Sequence, residues 1–125
     1  MGNPTVTPLQ ENWHDFGFIV FPASGHRHID TNVLGGATKV LAGTVLGMIT
    51  TTKVYVPLAP GASDGSQNAA AILGATKNVT AANKNAAMVV RDCEVNASEL
   101  IWGAATAPQI VAATLQLKAL GIIPR

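Results

Sequence analysis

The sequence is poor in charge and in long apolar runs, and each shortage excludes a class of protein. Charged residues make up 12% of the 125-residue chain, about half of the usual share. Eight basic and seven acidic side chains give a net charge of only +1, without the clustered lysine and arginine that bind nucleic acid or an anionic membrane. No apolar run approaches the roughly 18 residues of a membrane-spanning helix.

Cysteine is almost absent as well. The single cysteine, Cys93, excludes an internal disulfide and suits a reducing compartment. The first residues show no basic stretch followed by an apolar one, so no secretory signal is expected. The sequence therefore predicts a soluble intracellular protein.

Constellations of catalytic residues are missing too. The chain has no Gly-x-Ser-x-Gly nucleophile elbow, and its Gly-Ala-Thr-Lys tetrapeptides lack the Gly-Lys-Ser/Thr of a phosphate loop. Cys93 with a distant histidine is a nominal nucleophile pair, but a lone cysteine is more often a buried apolar side chain. We therefore expect no catalytic residue, no enzyme and no cofactor.

The best metal-ligand candidates are His26, His28 and Asp30, which would share one face of a strand. The flanking Gly25 and Asp30 favour an exposed, solvated turn instead. We therefore expect no metal site.

The composition is rich in apolar residues as well as poor in charged ones. Hydrophobic residues make up 48% of the chain, although a small domain has a large surface that solubility requires to be polar or charged. Part of the outside is therefore expected to be covered by other chains.

The first 25 residues differ in composition from the rest. Pro4 and Pro8 prevent regular strand pairing and favour an extended arm. Four of the six aromatic residues follow within one nine-residue window, at positions 13, 16, 18 and 21. This window is read either as a core strand, with Phe16, Phe18 and Val20 on one face, or as an arm that buries aromatic anchors in a partner. The two readings are compatible.

The middle of the chain reads as short strands joined by turns. Predicted strands cover residues 40–50, 54–56, 69–73 and 86–91. Gly43 and Gly47 lie inside the first of these and predict bends or close backbone contacts. The tetrapeptide Gly-Ala-Thr-Lys occurs at 36–39 and 74–77, each time as a predicted turn that leads into a strand.

The clearest local signal is a helix over residues 107–120. Thr106 and Gln109 have the spacing of a capping box, with Pro108 in the first turn. Gly121 suits the position after the last turn. The apolar face of this helix is predicted to contain Ile110, Ala113, Leu117 and Leu120. The same cap spacing at 96–99 predicts a single helical turn.

Taken in order, these segments resemble the lambda D type of bacteriophage head decoration proteins. The resemblance rests on Asp30 and its turn, on LAGTVLGMIT at 41–50, on YVPLAPGASDGSQNAAAIL at 55–73, on EVNASELIW at 94–102 and on the helix from Gln109 to Ile122. It covers residues 5–125.

The resemblance implies a mainly β fold with a short C-terminal helix, in the form of a small clip-like β-barrel or sandwich with an extended N-terminal arm. It divides the chain into an arm (residues 1–25) and a β-rich decoration domain (residues 26–125). It implies a homotrimer on local three-fold sites of the expanded head, where it contacts the major capsid protein and stabilises the shell against packed DNA. The protein is then expected on the outer surface of the virion after synthesis in the host cytoplasm, without direct contact with nucleic acid or membrane.

Residue expectations follow from the same resemblance. The capsid-binding arm residues are expected to be Thr5, Val6, Thr7, Leu9, Trp13, Phe16, Phe18, Ile19 and Val20. Leu100, Ile101 and Trp102 are expected in the core or in the subunit interface. The alternative function is a small β-clip module on a virion that binds a carbohydrate or cell-surface ligand, which would need exposed aromatic side chains on a rigid face.

Overall fold

The computed structural model describes residues 15–22 and 27–125 of the chain. Its elements in chain order are β1 (Ile19–Pro22), β2 (Ile29–Leu34), β3 (Lys39–Val40), β4 (Val45–Met48), β5 (Tyr55–Pro57), β6 (Ala69–Leu73), β7 (Lys77–Asn78), β8 (Lys84–Val89), β9 (Cys93–Val95), a 3-10 turn (Ala97–Glu99), α1 (Ala107–Ala119) and β10 (Ile122–Pro124). The predicted fold class, mainly β with one C-terminal helix, is confirmed.

Five of these strands close into a barrel in the order β2-β5-β4-β6-β8. The longest pairing joins antiparallel β2 and β8, from Ile29 opposite Val89 to Leu34 opposite Lys84. A parallel contact of Leu34 with Tyr55 joins β2 to β5 and completes the ring. Closure removes the open sheet edges on which other chains could pair.

Strands β4 and β6 are buried on both faces, to which successive side chains point alternately. In β6, Ala71 and Leu73 belong to one apolar cluster and Ile72 to another. The inner cluster takes side chains from the barrel strands β2, β4, β6 and β8 and from residues beside them; it contains Leu34, Val40, Leu46, Ala71, Leu73, Val79, Ala86, Met88 and Val90. The outer cluster joins the outside of the barrel to α1, β9 and β10 and contains Phe18, Val45, Leu58, Ala69, Ile72, Val89, Cys93, Val95, Leu100, Ala113, Leu117 and Ile122. Burial on both faces accounts, within one chain, for part of the low charge.

The segment predicted as one strand over 40–50 is divided by its first glycine. Gly43 has a φ of +89°, so the chain turns there and β4 begins only at Val45. Gly47 lies at an irregularity in the pairing of β4 with β6. A Cβ on Gly47 would overlap the main chain of Ser66, so this position requires glycine because of close backbone contact.

The helix α1 forms where the sequence predicts it. The Gln109 side-chain oxygen accepts a hydrogen bond from the Thr106 N–H at 2.8 Å, which supplies one half of the capping box. The helix ends at Ala119. Gly121, just beyond it, has a φ of +84° and donates its N–H to the Lys118 carbonyl at 3.0 Å. Leu117 is buried as predicted. Leu120 is exposed, which corrects the predicted apolar face, because the chain reverses at Gly121 and Ile122 fills the core instead.

The two Gly-Ala-Thr-Lys turns do lead into strands, and these strands pair with each other. Lys39 of β3 lies opposite Asn78 of β7, and Val40 lies opposite Lys77. Val40 and Val79 then extend the inner cluster.

Candidate functional site

The segment that the sequence assigns to an arm reaches the domain through a small sheet of order β1-β9-β10. Ile19 of β1 lies opposite Val95, and Pro22 lies opposite Cys93, in antiparallel register. β10 pairs with β9 in parallel register on the other side. β1 is therefore one edge of this sheet, and it lies within the predicted arm of residues 1–25.

Exposed apolar side chains gather on this sheet. Phe21 and Ile123 both lie opposite Glu94 of the central strand, so the three side chains share one face. The exposed fraction is 68% for Phe21, 53% for Val20 and 41% for Ile123. A shallow depression of about 210 Å³ lies here, lined by Phe21, Pro22, Arg27, Asp92, Cys93, Glu94, Gly121 and Ile123.

Charges surround this apolar surface in paired form. Arg27 lies 3.5 Å from the Asp92 carboxylate, and Arg125 lies 3.6 Å from the Glu94 carboxylate. The arginines are about two-thirds exposed and the carboxylates one-third or more, so each pair adds little to stability. Positively and negatively charged side chains therefore lie beside the exposed apolar side chains of this sheet.

The aromatic window is in part core, as one of its two readings predicts. Phe18 is 3% exposed within the outer cluster. Phe16 and Ile19 are half-buried against the same cluster. The continuous strand expected over this window is wrong, because residues 15–18 form a turn and β1 begins at Ile19. Capsid contact by these residues stays a prediction.

The remaining predicted arm residues lie outside the described part of the chain. They are Thr5, Val6, Thr7, Leu9 and Trp13. The division of the chain at residue 25 also stays a prediction.

Leu100, Ile101 and Trp102 lie beside the barrel. The predicted single turn forms at Ala97–Glu99, where the Asn96 side chain accepts from the Ser98 N–H at 3.1 Å. Leu100 is buried in the outer cluster, and Trp102 packs against it while partly exposed. The Ile101 N–H donates to the Gly43 carbonyl at 2.9 Å. A subunit contact by these residues stays a prediction.

The expected solvated turn around His28 is wrong for His28 itself, which is 5% exposed. Its carbonyl accepts from the Val90 N–H at 2.9 Å, because the pairing of β2 with β8 carries it onto the barrel. Asp30 is bonded to Arg91, with 2.7 Å between Oδ2 and Nη2. Within residues 15–22 and 27–125, no three potential ligands come together. His26 lies outside these ranges.

Cys93 is buried in β9, as a structural cysteine is expected to be. Burial, and secondarily the charge of Glu94, raises the pKa of its thiol to about 11. Because the thiolate is the nucleophile, so high a pKa makes Cys93 a poor one at neutral pH.

Sequence reasoning missed the outward face of α1. Val111 and Leu115, one turn apart, are each 62% exposed, and Ala112 and Ala119 beside them are exposed too. The available signal was composition, because Lys118 is the only charged residue of this helix. Large apolar side chains that lie together on an exposed surface often mark a contact with another chain.

Two depressions on the described residues are small. A second depression, of about 150 Å³, lies between α1 and the loop after β5 and is lined by Leu58, Pro60, Gln67, Gln109, Ala112, Ala113 and Gln116. Both depressions fall below the roughly 300–1,000 Å³ of ordinary small-molecule sites. The described helix is too short to cross a bilayer.

Comparison with known proteins gives one match and one negative result. The family model of bacteriophage lambda head decoration protein D matches residues 8–122 of the 125-residue chain. No curated protein sequence matches the chain. The family is one of structural proteins of the phage head, which associate with the capsid. Because the match spans nearly the whole chain, the protein belongs to the family of bacteriophage lambda head decoration protein D.

Proposed function

We propose that this protein is a cement protein: it binds as a homotrimer to local three-fold sites on the outer surface of the expanded phage head and stabilises the shell against packed DNA. The observation that carries the proposal is the family match over residues 8–122. The protein is made in the host cytoplasm and contacts the major capsid protein. Neither nucleic acid nor membrane is a partner, in keeping with the net charge of +1.

The N-terminal arm makes the capsid contact by adding a strand to the major capsid protein. In this mode the backbone supplies hydrogen bonds and alternate side chains fill pockets. The position of β1 at a sheet edge supports the proposal, since β1 itself belongs to the predicted arm. The exposed Val20 and Phe21 of β1 offer apolar contact area there.

The trimer contact uses the outward face of α1. Val111 and Leu115 are large apolar side chains that an isolated domain leaves in water. The neighbouring alanines are small enough for another chain to approach the helix closely. Burial of this face between sister subunits fits a chain with so few charges.

The mechanism is mass action rather than catalysis. A protein that binds only the expanded shell stabilises it by RT ln(1 + [L]/Kd) per site, about 2.7 kcal/mol when free protein is at 100 times Kd. Three arms on one trimer bind in linked fashion, which raises avidity by roughly 10²–10⁴ over a single arm.

The stabilising role is tested by heating DNA-filled heads of the corresponding phage with and without the purified protein. We expect decorated heads to keep their DNA at temperatures at which undecorated heads release it. Equal release temperatures at saturating protein would contradict the cementing role.

A further inference from the structure

Phe16 packs against Gly74, at the point where the N-terminal segment joins the domain. The Phe16 N–H donates to the Gly74 carbonyl at 2.7 Å. The aromatic ring is half-buried against the outer cluster. A Cβ on Gly74 would overlap ring atoms Cε1 and Cζ of Phe16. The ring therefore occupies the space that the glycine leaves open.

The contact with Gly74 holds the backbone of Phe16 in a conformation that an aromatic residue rarely adopts. Its φ of +56° lies in the left-handed region, where a side chain crowds the backbone. The Ile19 N–H closes the turn by donating to the Phe16 carbonyl at 3.1 Å. If the ring moved away from Gly74, the turn would relax to negative φ, and the direction of the main chain at Phe16 would change.

We propose that the Phe16–Gly74 contact anchors the N-terminal segment and sets its direction, which makes both residues positioning residues for capsid attachment. The inference rests on the proposed function of the arm in strand addition. When the Phe16–Gly74 contact is formed, the turn is already ordered before the arm binds the capsid. Without the contact, the turn has to become ordered on binding. Ordering even one residue of backbone corresponds to about a tenfold loss of affinity.

Gly74→Ala is the direct test of the anchor. The three atoms nearest to the added Cβ all belong to the Phe16 ring, and the φ of Gly74 is not in the left-handed region, so the substitution acts first on the ring. Phe16→Ala removes the ring and leaves Gly74 in place. Gly61→Ala is the matched control, because a Cβ there lies in open space.

The first measurement is amide hydrogen exchange on the free protein. The amides at positions 16 and 19 should exchange at least about tenfold faster in Gly74→Ala and in Phe16→Ala. In the wild type, opening of the turn has to break the packing of the Phe16 ring on Gly74, and in both variants that packing is already lost. The Leu73 amide, bonded to the Thr44 carbonyl at 3.0 Å, should stay unchanged. The double variant should exchange no faster than Phe16→Ala, since both substitutions remove the same contact. Unchanged exchange at position 19 in both single variants would overturn the anchor.

The second measurement is cosedimentation of each variant with expanded shells of the same phage. Gly74→Ala and Phe16→Ala should bind at least about tenfold more weakly than the wild type, and Gly61→Ala should bind equally well. Faster exchange combined with unchanged binding would overturn the positioning role. Absence of binding by the wild type would overturn the proposed function, while hydrogen exchange would still decide whether the anchor exists.

Discussion

Gly47 of β4 lies against the main chain of Ser66, so closely that a Cβ on Gly47 would overlap the Ser66 backbone. The turn that contains Ser66 is thereby pressed onto the barrel. The Ala59 N–H donates to the Ser66 carbonyl at 3.0 Å, and the Thr50 N–H donates to the Asp64 carbonyl at 2.9 Å. This contact explains why the sequence places glycine within an otherwise apolar strand.

Gly47→Ala should therefore destabilise the fold. The added methyl group meets backbone rather than a flexible side chain, so β4 or the turn has to move, at a cost of about 2–3 kcal/mol. Urea unfolding followed by circular dichroism measures the change. Gly61→Ala, which adds the same atom in open space, should change the free energy of unfolding by less than about 0.5 kcal/mol. Equal stability of the two variants would contradict the close contact.

Asp64 should make the stability of this turn depend on pH. Its carboxylate accepts from the Ser66 hydroxyl at 2.5 Å and from the Ser66 N–H at 3.1 Å. These hydrogen bonds hold the pKa of Asp64 below its ordinary value. A lowered pKa means that the folded state favours the charged form, so the stabilisation is complete above the ordinary pKa of about 4 and is lost as the pH falls through the folded value.

The measurement is the melting temperature of wild type and Asp64→Asn between pH 2 and pH 7. The wild type should be more stable at pH 7, and the difference should shrink as the pH falls below about 4. A difference that stays constant over this range would show that the charge of Asp64 is not involved.

How far the sequence predicts this structure depends on how local each signal is. The helix α1 was predictable because Thr106, Gln109 and Gly121 mark its ends within a few residues. The turn at Phe16 was not predictable, because its left-handed φ is accompanied by a contact with Gly74, which is distant in the sequence. Barrel closure depends in the same way on the pairing of Leu34 with Tyr55, which no local pattern specifies.

The residues of the candidate site were predictable only where the signal was local. The sequence indicated the aromatic window from composition, but which of its rings face the domain depends on tertiary packing, which buries Phe18 and exposes Phe21. The burial of His28 follows from the register of β2 on β8, which the flanking turn residues concealed.

Leu115→Glu should prevent trimer formation and leave the domain folded. The side chain is 62% exposed in the single chain, so a charge there costs the isolated domain little, whereas burial of an unpaired carboxylate between subunits is strongly unfavourable. Light scattering at high protein concentration should give a mass near three chains for the wild type and near one for the variant. The exposed Ala82 lies between β7 and β8 rather than in α1, and Ala82→Glu should remain trimeric. A trimeric Leu115→Glu would place the subunit contact elsewhere.

Deletion of residues 2–12 should separate attachment from folding. The deletion ends before the turn at 15–18 and leaves both apolar clusters in place, so circular dichroism and the melting temperature should stay near those of the wild type. Binding to expanded shells should be lost or badly weakened, because no other part of the chain replaces the added strand, and the loss is repeated in all three arms. Normal binding by the truncated protein would refute the arm mechanism, and unfolding would show that the arm belongs to the core.

The most direct test of the decoration role is cosedimentation of the purified wild-type protein with expanded and with unexpanded shells of its phage. The account predicts saturable binding to expanded shells, at three chains per local three-fold site, and little binding to unexpanded shells. Equal binding to both forms, or none to the expanded form, would contradict it.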